Sequence, residues 1–182
     1  QTPLPAQKVI LNVTHNKTQL IILITDYLVE NLVDNYHELV ITSAQPVPVA
    51  IRNGEVITRN DLYNTHEEAD VIIVNQLVDL AVRGTLNICV LCDDTDVFVI
   101  LIFLVWKLGI NVMVQMERWD GNVLNNNKTE AALGIKSLQL LGMHAVTGCD
   151  TVSYSFNKGK LTALNKLQEC DFPGLYSVIG EE

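Results

Sequence analysis

Apolar residues recur at helical spacing through KTQLIILITDYLVENLVD (Lys17 to Asp34), and polar residues close the run, which predicts a helix. The pattern then shortens. HELVITS and VPVAIRNGEVITR read as short strands, with Asn53-Gly54 as a hairpin turn. THEEADVIIVNQLVDLAVRG returns to helical spacing, with Thr65 as its cap and Gly84 as its stop. LNICVLC is a continuous apolar run, the pattern of a strand buried on both faces of a parallel sheet. VFVILIFLVWKLG follows as a helix and INVMVQM as a further strand. Strand, helix and strand with short connections predict a crossover unit of an α/β fold.

The last part of the chain has another character. KTEAALG, KSLQLLGMHAVTGCDTVS and KLTALNKLQEC read as short helices broken by Gly, which predicts a helical section over 135–170 within a single domain of 1–182. The apolar run Val97 to Trp106 is far shorter than the roughly 20 residues that cross a bilayer, so no membrane partner is expected. The opening QTPLPAQKV has no initiator Met and no basic segment before an apolar one. It reads as neither a signal peptide nor a natural N-terminus, and the expectation is that an N-terminal part of the domain precedes it.

Between the strand LNICVLC and its following helix stand three aspartates, Asp93, Asp94 and Asp96. Open α/β sheets place ligand sites at the carboxyl ends of their strands, and this corner is such an end. One carboxylate caps one helix, so capping leaves the others unexplained. Two more acidic sets lie at element boundaries: Glu67, Glu68 and Asp70 in EEAD, and Asp150 in GCD. Each has a plain structural reading, since Thr65 and Glu68 form a capping box and acids favour a helix's first turn. Carboxylates gathered at strand ends repel one another unless a cation joins them, and hard cations such as Mg²⁺ or Mn²⁺ take oxygen ligands.

Charge narrows the partners. The chain carries 12 Lys and Arg against 21 Asp and Glu, a net charge of −9, which excludes a broad basic surface for phosphate backbones. Nucleic-acid binding then has to rest on a metal-centred site or a local patch such as Lys158, Gly159 and Lys160. The four cysteines, Cys89, Cys92, Cys149 and Cys170, read as buried reduced thiols rather than zinc ligands, because i and i+3 of a strand face opposite ways. That usage fits an intracellular protein, nuclear or cytoplasmic, and makes the sequons at Asn12, Asn16 and Asn127 chance matches. His66 and His144 have no histidine at ligand spacing and read as packing or surface residues, and Ser153 and Ser155 lack a nucleophile elbow.

HEEAD, VLCDDTDVFV and LLGMHAVTGCDTVSYSFNKGKLTALNKL, in that order, resemble the flap-endonuclease superfamily of PIN-like nucleases, and most closely its Asteroid-like branch. The resemblance covers roughly Thr65 to Leu167. It implies a PIN-like Rossmannoid parallel sheet flanked by helices, with a helical C-terminal section. It further implies that Glu68, Asp70, Asp94, Asp96 and Asp150 act as catalytic metal ligands for up to two Mg²⁺ or Mn²⁺ ions in phosphodiester hydrolysis. The implied partner is nucleic acid, DNA before RNA, with FNKGKLTAL where these nucleases hold duplex phosphates. Asp26 and Asp34 match none of the further carboxylates that the family carries upstream. Two other readings stand beside this one: a PIN-like interaction module without activity, working through a protein partner, and a haloacid-dehalogenase-type phosphatase built on DDTDV.

Overall fold

The computed structural model describes residues 7–32, 36–65, 69–109, 111–147 and 160–169. The chain forms two compact units, Gln1–Ile72 and Ile73–Glu182. Both are mixed α/β, as the sequence predicts, but neither carries a continuous parallel sheet.

The first unit opens with α1 (Gln7–Leu11) and α2 (Thr14–Asn31). The predicted helix is present and begins three residues early, yet no side chain on α2 is buried. An antiparallel sheet of β1 (Glu38–Ile41), β2 (Val49–Arg52) and β3 (Glu55–Thr58) follows. Arg52 pairs directly with Glu55, so the hairpin loop is the two residues Asn53 and Gly54. Both have positive φ, 53° and 76°, as a type I′ turn demands of residues that tolerate the left-handed region. Ala50 and Ile51 on β2 are the buried heart of this sheet.

The second unit takes most of α3 (Ala69–Val82), then β4 (Asn87–Leu91), α4 (Thr95–Leu108) and β5 (Met113–Glu117). β4 and β5 pair in parallel across α4, which is the predicted crossover. α3 ends in a Schellman motif: Gly84 N–H donates to the Ala81 carbonyl, Thr85 N–H donates to that of Leu80, and Gly84 takes a φ of 85°. Gly109, also left-handed, closes α4. The apolar composition of α4 on every side has a direct cause. Val97, Leu101 and Val105 form one i, i+4 stripe packed with Ile88, Val114, Met116 and Leu77. Val99 and Ile102 pack on the opposite side with Leu140, Met143 and Leu167. Leu101 is 0% exposed between these neighbours.

Three short helices complete the unit: α5 (Asn126–Leu133), α6 (Lys136–Thr147) and α7 (Lys160–Glu169). α6 and α7 fall within the helical section predicted over 135–170 and α5 lies just before it; 148–159 lie outside the described residues. A strand absent from the sequence reading, β6 (Val123–Asn125), pairs antiparallel with β5. The sheet is therefore mixed, in the order β4-β5-β6.

The expectation that LNICVLC is buried on both faces does not hold. Only Ile88 of β4 is buried, and Leu91 is 53% exposed. Among the described residues β4 pairs with β5 alone, and Cys89 and Leu91, two apart on one face of the strand, are both exposed. Cys89 is accordingly exposed, not a buried thiol, with Sγ 3.8 Å from Glu117 Oε2. Cys92 is half-buried against the core and free, in line with opposite-facing positions; Cys149 and Cys170 lie outside the described residues.

Asn127 performs a job its sequon does not suggest. Its Oδ1 accepts from Val114 N–H at 2.7 Å and its Nδ2 donates to the Val112 carbonyl at 2.9 Å, so one side-chain amide extends the ladder that β6 leaves unfinished. Both partners are backbone groups beside the core. Asn127→Ala is expected to lower stability by about 2 kcal/mol, two hydrogen bonds at roughly 1 kcal/mol each. Urea unfolding followed by circular dichroism reads this directly, and an unchanged midpoint would show that water replaces the amide at no cost.

Candidate functional site

The DDTD corner follows β4 at its carboxyl end, and each of its aspartates does something different. Asp94 is the N-cap of α4: its backbone is extended and its Oδ1 accepts from Asp96 N–H at 2.8 Å. The sequence makes capping natural, since the β-strand must turn into a helix at this point and a short carboxylate can reach an N–H two residues on. Cys92 Sγ lies 3.4 Å from Asp94 N–H and receives it. Asp93 points the other way along the corner. Its Oδ1 accepts from Trp119 N–H at 3.0 Å and lies 3.4 Å from Arg118 Nε, so it ties β4 to the β5–β6 turn.

Asp96 sits in the first turn of α4, and its Oδ1 is 2.7 Å from Nε2 of His144 in the last turn of α6. The side chains are 8% and 20% exposed for His144 and Asp96. An ionised carboxylate only accepts hydrogen bonds, so the Nε2 of this pair carries the hydrogen. The sequence reading of His144 as an ordinary packing or surface residue missed this partnership across 48 positions. One signal was available: Leu140 and His144 stand four apart on an apolar helix, so a histidine on that face is buried and needs a polar partner.

The β5–β6 turn that Asp93 holds is itself shaped by an aspartate. Asp120 Oδ1 accepts from Asn122 N–H at 3.0 Å and Oδ2 from Asn122 Nδ2 at 2.9 Å, with Gly121 at a φ of 82°. The Asn122 backbone bond, then its side-chain bond, and then Arg118 hold the Asp120 carboxyl below its ordinary range. A depressed carboxyl favours the fold above its unfolded pKa, and that contribution disappears as pH falls through the folded value. In a carbonyl-carbon NMR titration, Asp120 is expected to titrate below a free aspartate and Asn122→Ala to return it toward the ordinary value. A wild-type Asp120 midpoint at the ordinary aspartate value would refute the assignment, whereas one unmoved by Asn122→Ala, which keeps the backbone N–H, would discount only the side-chain bond.

The other predicted site residues divide as follows. Asp70 stands half-buried in the first turn of α3 and belongs to the first unit, whereas Asp94 and Asp96 belong to the second. Glu68, Asp150, Lys158 and Gly159 lie outside the described residues, as does the proposed Thr65–Glu68 capping box. Lys160 opens α7 and is exposed. Among the described residues no group of three or more His, Cys, Asp or Glu side chains is arranged to hold a metal ion.

The first unit has an open groove of about 680 Å³ between α2, the β1–β2 connection and the segment that includes Asn64. Thr14, Lys17, Thr18, Ser43 and Gln45 give it hydroxyl and amide groups and one cation, and no carboxylate lines it among the described residues. Among the described residues, no helix is long and apolar enough to cross a membrane. Comparison of this chain with protein families, with curated proteins and with solved structures gives no match.

Proposed function

We propose that the chain is the PIN-like part of an intracellular, Mg²⁺- or Mn²⁺-dependent nuclease that hydrolyses phosphodiesters of nucleic acid, DNA before RNA. The observation that carries this reading is the state of Asp96: a carboxylate at the carboxyl end of a parallel pair, fixed through one oxygen by His144 and through its backbone by Asp94. In both Asp94 and Asp96 the hydrogen bonds use Oδ1, and Oδ2 accepts none among the described residues.

Two carboxylates with free oxygens suit one hard cation, because Mg²⁺ is commonly held by one or two carboxylates, with water and substrate phosphate completing its shell. A bound ion of this kind polarises a phosphoryl oxygen and makes water a better nucleophile. Asp94 and Asp96 are the described residues proposed to hold it. The family resemblance adds Glu68, Asp70 and Asp150 to the proposed ligand set. The test is cleavage of flapped and single-stranded oligonucleotides with Mn²⁺ and with EDTA, alongside the melting temperature with and without Mg²⁺. Cleavage that EDTA stops supports the proposal; a chain that neither cleaves nor gains stability from the ion contradicts it.

A second reading, a PIN-like interaction module without activity, draws on a specific observation. Asp93, Asp94 and Asp96 all have partners inside the fold, and local structure alone accounts for keeping each of them. The net charge of −9 favours a basic protein partner over nucleic acid in that case.

A further inference from the structure

We infer that the face of the β4-β5-β6 sheet bearing Leu91, Glu117 and Val123, with Trp119 just past its end, docks a segment of another protein that carries Lys or Arg among apolar residues. The inference rests on the second reading above and requires no metal. The register sets three side chains in one row: Leu91 of β4 pairs with Glu117 of β5, and Glu117 with Val123 of β6, so all three project from one face. Ile88, Val114 and Met116 fill the core from the other. Leu91 and Val123 are each 53% exposed, and Met113 and Cys89 continue the exposed apolar surface along β5 and β4. Exposed apolar area rimmed by polar groups is the mark of an interaction site.

Trp119 lies two residues beyond Glu117 and is 72% exposed, yet its backbone is fixed. Its N–H donates to Asp93 Oδ1, and the turn around it closes through Arg118 N–H to the Asn122 carbonyl and Gly121 N–H to that of Arg118. A large ring on a held backbone loses little freedom when a partner covers it, and Trp is enriched among the residues that dominate interfaces.

Charge selects the occupant. Glu117 stands in its row between two apolar side chains, and among the described residues no Lys or Arg pairs with it; its contact is the Cys89 thiol at 3.8 Å. Asp93 and Asp120, both half-exposed, share the single guanidinium of Arg118. Three carboxylates against one arginine leave this surface negative, so an incoming Lys or Arg meets a carboxylate and, at Trp119, the face of an indole. The same carboxylates repel a nucleic-acid backbone or an anionic membrane. A second copy is disfavoured too, because a two-fold contact sets the acidic surface against itself.

The test titrates two fluorescein-labelled peptides of equal length into the full chain, one alternating Arg and Val and one alternating Glu and Val, and follows their anisotropy. Trp119→Ala and Glu117→Gln are the variants. Trp119→Ala keeps the N–H that Asp93 accepts, so the turn should hold, which circular dichroism checks. The expected result is that the basic peptide binds and the acidic one does not, that added salt weakens binding, and that each variant weakens it about tenfold or more. In ¹H–¹⁵N spectra of the wild type, the basic peptide should move the Trp119 indole N–H and the Leu91 and Val123 amides, while the Trp106 indole on α4 stays in place.

If the basic peptide binds but both variants match the wild type and the Trp119 indole is unmoved, this surface is refuted and a basic partner elsewhere on the chain survives. Should a variant fail to fold, an unmoved Trp119 indole in the wild type refutes the surface equally. Equal binding of the two peptides refutes the selection by charge. A wild type that binds neither peptide, or that binds a single-stranded oligonucleotide through Trp119 instead, removes the basic partner and this surface together.

Discussion

Asp96→Asn is expected to reduce Mn²⁺-dependent cleavage of an oligonucleotide by about a thousandfold or more, because a Lewis-acid metal contributes several kcal/mol and each 1.4 kcal/mol is tenfold. The substitution changes little else. Asn keeps a side-chain oxygen within reach of His144 Nε2, and Asp94 still receives the backbone N–H of position 96. The variant should therefore fold with its α4–α6 contact intact, so lost cleavage reports lost charge at the metal rather than lost structure. Asp93→Asn is the matched control from the same corner. Asp93 is committed to the Trp119 N–H and to Arg118, so its substitution should loosen the β5–β6 turn and leave cleavage near the wild-type rate. Equal cleavage by Asp96→Asn and wild type in Mn²⁺ would remove Asp96 from the ligand set. Equal losses in the two variants would point to the corner's shape instead of to one carboxylate.

What the sequence disclosed follows from how local each signal is. Asn53-Gly54 and Gly84 mark a turn and a helix end through their own backbone preferences, and both do what they were expected to do. The crossover was legible because β4, α4 and β5 are consecutive and differ sharply in pattern. Burial of β4 was not legible, since an apolar run records what a strand can bury and not how many neighbours it has. In a three-stranded sheet with β4 at one end, Leu91 and Cys89 stay exposed despite their chemistry. β6 escaped notice because it is three residues long and ends in Asn125, which is also the N-cap of α5. The hardest features were those joining distant positions: His144 with Asp96, Asn127 with β5, Asp93 with Trp119. Periodicity has no access to such pairs. The DDTD corner could thus be placed from the sequence, while the separate duties of its aspartates could not.

The same blindness hid the polar group expected to matter most to the first unit. Arg59, just past β3, is buried although it is charged. Its Nε and Nη2 grip both oxygens of Asp61 in the 3-10 turn Asn60–Leu62, at 2.6–3.1 Å, and its Nη1 donates to Glu38 Oε1 at 3.0 Å. In the register of the sheet, Glu38 lies at the end opposite Arg59, so this bond joins the two ends of the sheet. A lysine could not supply this fork. The two ends of the network differ in worth: Asp61 is 58% exposed and its bond is screened by water, while Glu38 is 20% exposed beside an arginine that is 11% exposed. Breaking a fully buried pair costs about 3–5 kcal/mol, and discounting the exposed half leaves about 2–4 kcal/mol expected for Arg59→Met. Hydrogen exchange at the Ala50 and Ile51 amides, in the buried middle of β2, should show that loss as faster opening. A cycle with Glu38→Gln apportions it, because Arg59 and Glu38 must couple if the inner bond carries most of the effect. An exchange change below about 0.5 kcal/mol would instead mean that Arg59 behaves as a surface cation and that its burial stabilises nothing.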